Sequence, residues 1–201
     1  MRRTPMSSVL FEAEGSVIAT MASYGDTLAF SELDFSESRS SIHLLDMRGK
    51  VPRRRIVVAD FPVTVHSIDL TEELIVFLKA SQDQVGLSDV NIYSRQERRK
   101  ICQFSPQPGA KLTSIKLLGG SLVSSSADGC IVFTSLETPG QPRNTVELAG
   151  SVGEPVLSLC VSRARVVALS EDSTLRVWKT DSENCCSTSL SVRNQNISKI
   201  S

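Results

Sequence analysis

Residues 168–180 read ALSEDSTLRVWKT: the end of an apolar strand, a polar turn around Asp172, and a second strand that closes on Trp178. Apolar and polar side chains alternate along the second strand, as they do in a β-strand with one buried face. Residues 124–133 read SSSADGCIVF and repeat this order, with Asp128 and Gly129 at the turn. Asp-Gly is a strongly favoured pair in tight hairpins. Two hairpins built alike indicate that the chain contains a repeated unit.

The repeat extends over the whole chain as a short segment that precedes each hairpin. Its first and fourth positions are apolar, its third is Thr or Ser, and copies start at residues 18, 65, 112 and 156. A truncated copy starts at residue 197, so successive starts are 41 to 47 residues apart. This is the period of a four-stranded propeller blade. The complete copies are Ile18-Ala19-Thr20-Met21, Val65-His66-Ser67-Ile68, Leu112-Thr113-Ser114-Ile115 and Val156-Leu157-Ser158-Leu159.

Three more short strands follow each copy, bounded by Gly, Pro, Asn, Asp and Ser, and no segment shows ten residues of helical periodicity. We predict an all-β chain that forms one domain, a partial β-propeller. Its four four-stranded antiparallel blades are predicted over residues 16–60, 63–107, 110–150 and 154–192. Residues 196–201 are predicted to form the first strand of a fifth blade, and residues 8–11 a lone outer strand before the first.

The blade ends resemble those of WD40-repeat proteins, which have a Ser on the second strand, an Asp in the tight turn and a third strand closing on Trp. The resemblance covers about residues 8–201 and implies a WD40-like β-propeller, in which these residues stabilise the turn and pack between blades. The family's Gly-His pair before the first strand is missing from every copy, and only Asp46 follows its third strand as the Asp of Trp-Asp. The matching residues are Ser170, Asp172 and Trp178 in the fourth copy and Asp128, Gly129 and Phe133 in the third, with Tyr93 and Leu45 at the aromatic position of the others.

The number of blades leaves such a propeller unfinished. WD40 domains are typically seven-bladed, whereas 201 residues at about 45 per blade provide four and a fraction. A partial propeller would expose unpaired strand edges, which natural proteins avoid. We favour the explanation that the chain is the N-terminal part of a longer product. The alternatives are that a partner supplies the missing blades, or that four blades close into a ring and leave residues 197–200 as a spare strand.

Composition argues against several classes of function. Lys and Arg together number 22, as do Asp and Glu, so no net charge draws the chain to nucleic acid or to an acidic membrane. No apolar stretch is long enough for a signal peptide or a transmembrane helix. The five cysteines contain no Cys-x-x-Cys pair, which disfavours a zinc site or a disulfide framework; free thiols are expected, with redox sensing by Cys185 and Cys186 as the alternative. We expect an intracellular protein, cytoplasmic or nuclear, without a metal or cofactor.

The sequence carries no catalytic motif. It lacks the nucleophile elbow, the phosphate loop, the His-Glu-x-x-His zinc motif and the dinucleotide fingerprint. His66 precedes Ser67 on a predicted strand, where neighbouring side chains point to opposite faces and cannot form a Ser-His pair. His43 is expected to be an ordinary side chain of a third strand. We predict that the protein is not an enzyme.

Two basic segments precede predicted fourth strands one blade apart. Because equivalent loops of neighbouring blades lie on the same face of a propeller, the segments are predicted to form one positive patch. Such a patch would dock an acidic peptide, a phosphoprotein or a phosphoinositide headgroup; the alternative is solvated loop charge balanced by Glu97 and Asp60. No aromatic residue is interleaved with the basic ones, so nucleic-acid binding is not expected. The residues are Arg53, Arg54 and Arg55 in one segment and Arg98, Arg99 and Lys100 in the other, with Arg95 nearby.

Loops on a rigid β-scaffold commonly carry recognition. The insertion at residues 31–40 is acidic and serine-rich, and we predict a surface loop whose serines could be phosphorylated. The overall prediction is a non-catalytic protein–protein interaction scaffold or adaptor, bound to other proteins of a multi-subunit intracellular complex. The alternative is a peripheral module that binds phosphoinositides or phosphopeptides through the basic segments.

Overall fold

The computed structural model describes residues 15–37, 39–48, 53–61, 64–80, 88–137, 141–149, 153–162, 165–180, 185–186 and 192–193, and these ranges contain only strands and turns. No helix that could cross a bilayer occurs among them. The strands are β1 Ser16–Tyr24, β2 Thr27–Asp34, β3 Arg39–Asp46, β4 Arg53–Phe61, β5 Val65–Leu70, β6 Leu74–Ala80, β7 Ser88–Ser94, β8 Arg99–Phe104, β9 Leu112–Leu118, β10 Ser121–Ser126, β11 Ile131–Glu137, β12 Gln141–Ala149, β13 Val156–Ser162, β14 Arg165–Ser170, β15 Thr174–Thr180, β16 Cys185–Cys186 and β17 Val192–Arg193.

The strands form four sheets in chain order, each an antiparallel meander, so the predicted all-β architecture is confirmed. The sheets are β1 to β4, β5 to β8, β9 to β12 and β13 to β16. In the fourth sheet the outer position is divided, because β16 pairs with one end of β15 and β17 with the other. The outer strand predicted before the first blade and the first strand of a fifth blade lie outside the described residues.

The four-residue repeat marks a β-bulge in the first strand of every sheet. The register shifts at its second position, so that Ala19, His66, Thr113 and Leu157 each have no direct cross-strand partner. A bulge adds one residue to a strand, and therefore places residues three apart on the same face instead of on opposite faces. This explains why both the first and the fourth positions are apolar: Val65 and Ile68, for example, are buried in the same cluster.

Successive sheets pack face to face. We call the face that a sheet turns to the next sheet in the chain its leading face, and the opposite face its trailing face. Three buried apolar clusters fill the contacts between the first and second, second and third, and third and fourth sheets. In the first of them, Ile42 and Leu44 on the leading face of the first sheet meet Ile68 and Phe77 on the trailing face of the second. The burial of these faces, at about 25 cal/mol per Å² of apolar surface, is the main force holding sheet on sheet.

Side chains of β5 also bind the backbone of the following sheet. Ser67 accepts a hydrogen bond from the Ile115 amide at 3.2 Å, and Asp69 accepts one from the Leu117 amide at 2.7 Å. Since β9 is the inner edge of its sheet, these amides would otherwise have no strand partner. The two contacts fix the register of the second sheet against the third.

The tight turns that follow β10 and β14 are built alike. In the fourth sheet the Ser173 amide donates to the Ser170 carbonyl at 3.0 Å, and the Asp172 carboxylate accepts the Thr174 amide at 2.9 Å and its hydroxyl at 2.7 Å. Ser173 has a φ of 61°, a left-handed conformation that glycine adopts without strain. The residues that make the equivalent turn in the third sheet are Ser126, Asp128, Gly129 (φ 86°) and Cys130.

Trp178 and Phe133 do not occupy equivalent positions. Trp178 is buried on the trailing face of the fourth sheet, and the residue at its place in the third sheet is Thr134. Phe133 lies one residue earlier, on the leading face, where it packs against the cluster between the third and fourth sheets. The sequence pattern misplaced it because Phe133 follows Asp128 by five residues, whereas Trp178 follows Asp172 by six.

The insertion at residues 31–40 forms strands and not the surface loop that we predicted. β2 runs on to Asp34 and β3 begins at Arg39, and the two are paired along their full lengths. Ser31 and Ser40 are buried in this hairpin, so their hydroxyls are not accessible to a kinase. Ser36 lies in the turn itself and donates to the Asp34 carboxylate at 2.6 Å.

Candidate interaction surface at the turn face

One end of the four sheets gathers the tight turns between first and second strands. Because neighbouring strands are antiparallel, the connections between third and fourth strands lie at the same end, which we call the turn face. The Asp128 and Asp172 turns lie at the other end. The turn face therefore contains the turns between first and second strands. It also contains both predicted basic segments, which lie on the equivalent connections between third and fourth strands of the first and second sheets.

A cavity of about 860 Å³ opens on the turn face. All four sheets contribute to its wall through the ends of β1, β5, β9 and β13. Tyr24, Leu70 and Leu136 supply apolar surface, and Lys116 is the one basic side chain among the described residues of the wall. The described residues of the wall also include four carboxylates, which outnumber the single basic side chain among them: Asp69, Glu72, Glu73 and Glu137. A mixed apolar and acidic surface of this kind suits a partner that presents an apolar side chain together with a cation.

A second, smaller cavity of about 460 Å³ lies between the first and second sheets. Tyr24 and Glu72 line both cavities, so the two are neighbours on the turn face. Asp26, Arg48 and Arg95 complete the charged lining of the smaller one. The turn face thus carries charges of both signs around exposed aromatic surface.

Arg95 is a structural cation. Its guanidinium donates to the Thr71 carbonyl and, at 3.0 Å, to the Thr27 hydroxyl, and so ties the second sheet to the first. Arg48 is held beside Asp46, with Nε to Oδ1 at 3.0 Å and Nη2 to Oδ2 at 2.9 Å. This side-chain hydrogen bond from Arg48, together with the Arg48 amide, lowers the pKa of Asp46 to about 2.

The basic segments begin the outer strands β4 and β8. Arg53 is exposed, and the side chains of Arg54 and Arg55 lie outside the described part of the chain. Arg98 and Arg99 are exposed, and Arg99 is paired with Glu97 at 2.6 Å. Lys100 donates to Gln103, and burial, followed by the nearby Lys79 charge, lowers its pKa. That these segments form one patch remains a prediction.

The blade-motif residues support the fold, and those in the Asp128 and Asp172 turns lie at the opposite end. Trp178 is 3% exposed and belongs to the cluster between the third and fourth sheets. The Ser170 hydroxyl accepts a hydrogen bond from Arg176, which also lies 3.8 Å from Asp172. The link from Ser170 to the turn Asp therefore runs through an arginine, a contact that the WD40 resemblance does not imply.

His43 has an environment that sequence reasoning missed. Its ring is buried, stacks on Phe30 at 5.0 Å, and places Nε2 at 2.9 Å from Glu32 and 2.6 Å from the Ser41 hydroxyl. Both partners contact the same nitrogen, whereas a catalytic relay needs the acid on one ring nitrogen and the hydroxyl on the other. The network depends on cross-strand pairs in the first hairpin. A loop was predicted at this position, so these pairs, and with them the network, were not expected.

Two of the described thiols, Cys102 and Cys130, have raised pKa values. Burial raises the pKa of Cys130 to about 11, assisted by the charges of Glu147 and Asp128, and burial raises that of Cys102 as well. Thiolates are therefore disfavoured at neutral pH at these two positions. Within the described residues no group of three or more His, Cys, Asp or Glu has a metal-binding arrangement. His66 is exposed beside the buried Ser67.

Solved structures share this arrangement of sheets. The crystal structure of the computationally designed Ika4 protein superposes with a TM-score of 0.62 at 17% identity, over 88% of this chain and 100% of that one. The crystal structure of the mitotic checkpoint complex gives a TM-score of 0.60 at 14% identity and that of human WBSCR16 gives 0.60 at 8%, over 88% and 91% of this chain.

The chain has the fold of a β-propeller. It spans 54% of the matched chain in the mitotic checkpoint complex and 56% of WBSCR16. No protein-family model matches the sequence, and no curated protein is significantly similar to it. At these identities the likeness to solved structures establishes the fold alone.

Proposed function

We propose that this propeller is a non-catalytic scaffold that binds other proteins of an intracellular assembly through its turn face. The observation that supports the proposal is the cavity of about 860 Å³, whose wall is assembled from all four sheets. A wall built by four rigid units keeps its shape, and a preorganised surface loses less entropy on binding. Exposed aromatic and charged side chains at its rim are the residue types that anchor protein interfaces.

The finer assignment, a WD-repeat protein of the cytoplasm or nucleus, rests on the blade ends. The turns at Asp128 and Asp172 have the WD40-like order of residues, and the free cysteines Cys102, Cys130 and Cys160 suit a reducing compartment. A catalytic role is disfavoured because the sequence lacks the catalytic motifs named above.

Affinity capture with matched variants tests the scaffold. Tyr24→Ser and Glu72→Lys alter the rim of the cavity, and we expect each to release a protein that the unmodified chain captures in stoichiometric amount. Phe35→Ser and Glu171→Lys are the controls, because they change an exposed aromatic residue and an exposed glutamate at the opposite end. The proposal is overturned if no protein is captured in stoichiometric amount, or if rim and control variants retain the same protein equally.

The basic segments favour a second candidate, a peripheral module for phosphoinositides or phosphopeptides. Both segments lie on the turn face, at equivalent connections of neighbouring sheets, and Arg53 and Arg98 are exposed. Sedimentation with phosphoinositide vesicles is the test: Arg54→Glu and Arg99→Glu should abolish binding, and Arg39→Glu at the opposite end should not. Absence of vesicle binding by the unmodified chain, together with absence of phosphopeptide binding, would remove this candidate.

A further inference from the structure

Two carboxylates of the turn-face cavity have no cationic partner among the described residues. Glu72 and Glu73 follow one another in the turn between β5 and β6, and both are exposed. Neither forms an ion pair with a described basic side chain. The other described carboxylates of the wall are engaged, since Asp69 accepts a backbone amide of β9 at 2.7 Å and Glu137 lies 3.2 Å from Arg143. Glu72 and Glu73 therefore leave negative charge on the wall that no described side chain neutralises.

The arginines of the smaller cavity are bound to other groups. Arg48 is held by two hydrogen bonds to Asp46, and Arg95 ties the second sheet to the first through uncharged oxygens. Lys116, on β9, forms no ion pair with a described carboxylate. A cation that enters the larger cavity would therefore pair with Glu72 without displacing a described basic side chain.

Tyr24 supplies apolar surface beside these carboxylates. It is 48% exposed and lines both cavities, as Glu72 does. The face of an aromatic ring attracts a cation within about 6 Å, and a planar guanidinium can stack on the ring while its N–H groups bind a carboxylate. Leu74 and Leu136, both half-buried, line the larger cavity and offer contact to an aliphatic side chain. The wall thus combines the groups that recognise an arginine with those that recognise an aliphatic neighbour.

We propose that the turn-face cavity receives a short segment of a partner protein in which an arginine adjoins an aliphatic residue. The guanidinium stacks on Tyr24 and pairs with Glu72 and Glu73, and the aliphatic side chain packs on Leu74 and Leu136. The volume of about 860 Å³ accommodates both side chains, since pockets of about 300 to 1,000 Å³ enclose most of a drug-sized ligand. This partner chemistry rests on the scaffold proposal, because it concerns what the same cavity binds.

Selection from random peptides displayed on phage, with the full chain immobilised, tests the chemistry of the partner. We expect the enriched peptides to carry an arginine beside an aliphatic residue. Fluorescence anisotropy then measures the affinity of one synthetic peptide from the selection. The double variant Glu72→Gln, Glu73→Gln should bind it about tenfold more weakly or worse, because the guanidinium loses its charged acceptors. Glu154→Gln with Glu171→Gln is the control, since it removes the same charge from exposed glutamates at the opposite end.

A double-mutant cycle assigns the peptide arginine to these carboxylates. Replacing that arginine by glutamine should weaken binding to the unmodified chain about as much as the Glu72→Gln, Glu73→Gln variant does. The peptide and protein changes together should then weaken binding little more than either change alone, because each removes the same contact. Circular dichroism checks that every variant is folded.

Cys160 reports whether the peptide occupies the cavity. Its thiol is exposed and lies in the wall, whereas Cys102 is half-buried in β8. Saturating peptide should slow the alkylation of Cys160 by iodoacetamide and leave that of Cys102 unchanged, as read by mass spectrometry at each residue.

The proposal of an arginine-bearing partner is overturned by enrichment of peptides that lack arginine, or by enrichment of none. It is also overturned if the Glu72→Gln, Glu73→Gln variant binds as tightly as the control, if the two changes of the cycle are additive, or if the alkylation of Cys160 is unchanged. The affinity capture described above separates these failures from failure of the scaffold. A protein that Tyr24→Ser releases and Glu72→Gln, Glu73→Gln retains would be a turn-face partner of a different chemistry.

Discussion

Trp178 shows how one side chain joins two sheets. It is the only tryptophan of the chain and is buried in the cluster that the third and fourth sheets share. Replacing such a ring by alanine leaves a cavity and typically costs about 3 to 5 kcal/mol. We expect Trp178→Ala to lower the free energy of unfolding by that amount, measured by circular dichroism in urea because the variant has no tryptophan fluorescence. Phe35→Ala, at a site 63% exposed, should change little, and equal effects of the two variants would contradict the alignment of the fourth sheet.

Two arginines four positions apart, Arg95 and Arg99, have different roles. Arg95 bonds Thr71 and Thr27 on two sheets, whereas Arg99 forms an exposed pair with Glu97. Arg95→Ala should lower the free energy of unfolding by about 1 to 3 kcal/mol, because its hydrogen-bond partners in the contact between the sheets lose a charged donor. Arg99→Ala should change the free energy of unfolding by no more than about 0.5 kcal/mol, as is usual for an exposed ion pair. Urea unfolding of both variants measures the difference, and a larger loss for Arg99→Ala would refute this assignment of roles.

The Asp128 turn links stability to pH. The Ser126 hydroxyl, and after it the Cys130 amide, lower the pKa of Asp128 from its ordinary value of 3.8 in spite of some burial. A carboxyl group whose pKa is lowered in the folded state stabilises the fold when the pH is above its unfolded-state pKa. That contribution is lost as the pH falls through the folded-state pKa. We expect the melting temperature to fall below about pH 4, and to fall less steeply in Asp128→Asn. If the melting temperatures of the two proteins fell equally steeply with decreasing pH, this turn would not contribute to the pH dependence of stability.

At the scale of the strand, the bulge determines which side chains are buried. His66 occupies the bulge of β5 and is exposed, so His66→Ala should be tolerated. Deleting His66 removes the extra residue and turns Val65 to the face opposite Ile68, which exposes one of the two. We expect the deletion to cost more than about 2 kcal/mol, the value of burying one such side chain. Thermal and urea unfolding compare the two variants, and a tolerated deletion would mean that the bulge is not needed.

Strand order and turn chemistry were readable from the sequence, because hairpin residues act locally. Asp128 with Gly129, and Asp172 with Ser173, form the turns where the pattern placed them. The burial of Ser31 and Ser40 was not readable, because it depends on pairing that extends β2 and β3 beyond the apolar positions. Serines and carboxylates in a strand look like a loop until their cross-strand partners are known.

At the scale of the molecule, periodicity predicted the number of sheets and the order in which they pack. The spacing of 41 to 47 residues predicted four units. Each unit is one four-stranded antiparallel sheet that packs on the sheet before it in the chain. The turn-face cavity could not be predicted, since its wall joins residues as distant in sequence as Tyr24 and Leu159.

The packing of leading faces on trailing faces is the central claim, and methyl NOE spectroscopy of the isoleucines tests it most directly. Ile42, Ile68 and Ile75 belong to the cluster between the first and second sheets, and Ile92 and Ile115 to the next. We predict NOEs that connect Ile75 with the first group and Ile92 with Ile115, although Ile75 and Ile92 share one sheet on opposite faces. NOEs that link Ile75 to Ile92 or Ile115, or none between Ile42 and the second sheet, would contradict the account.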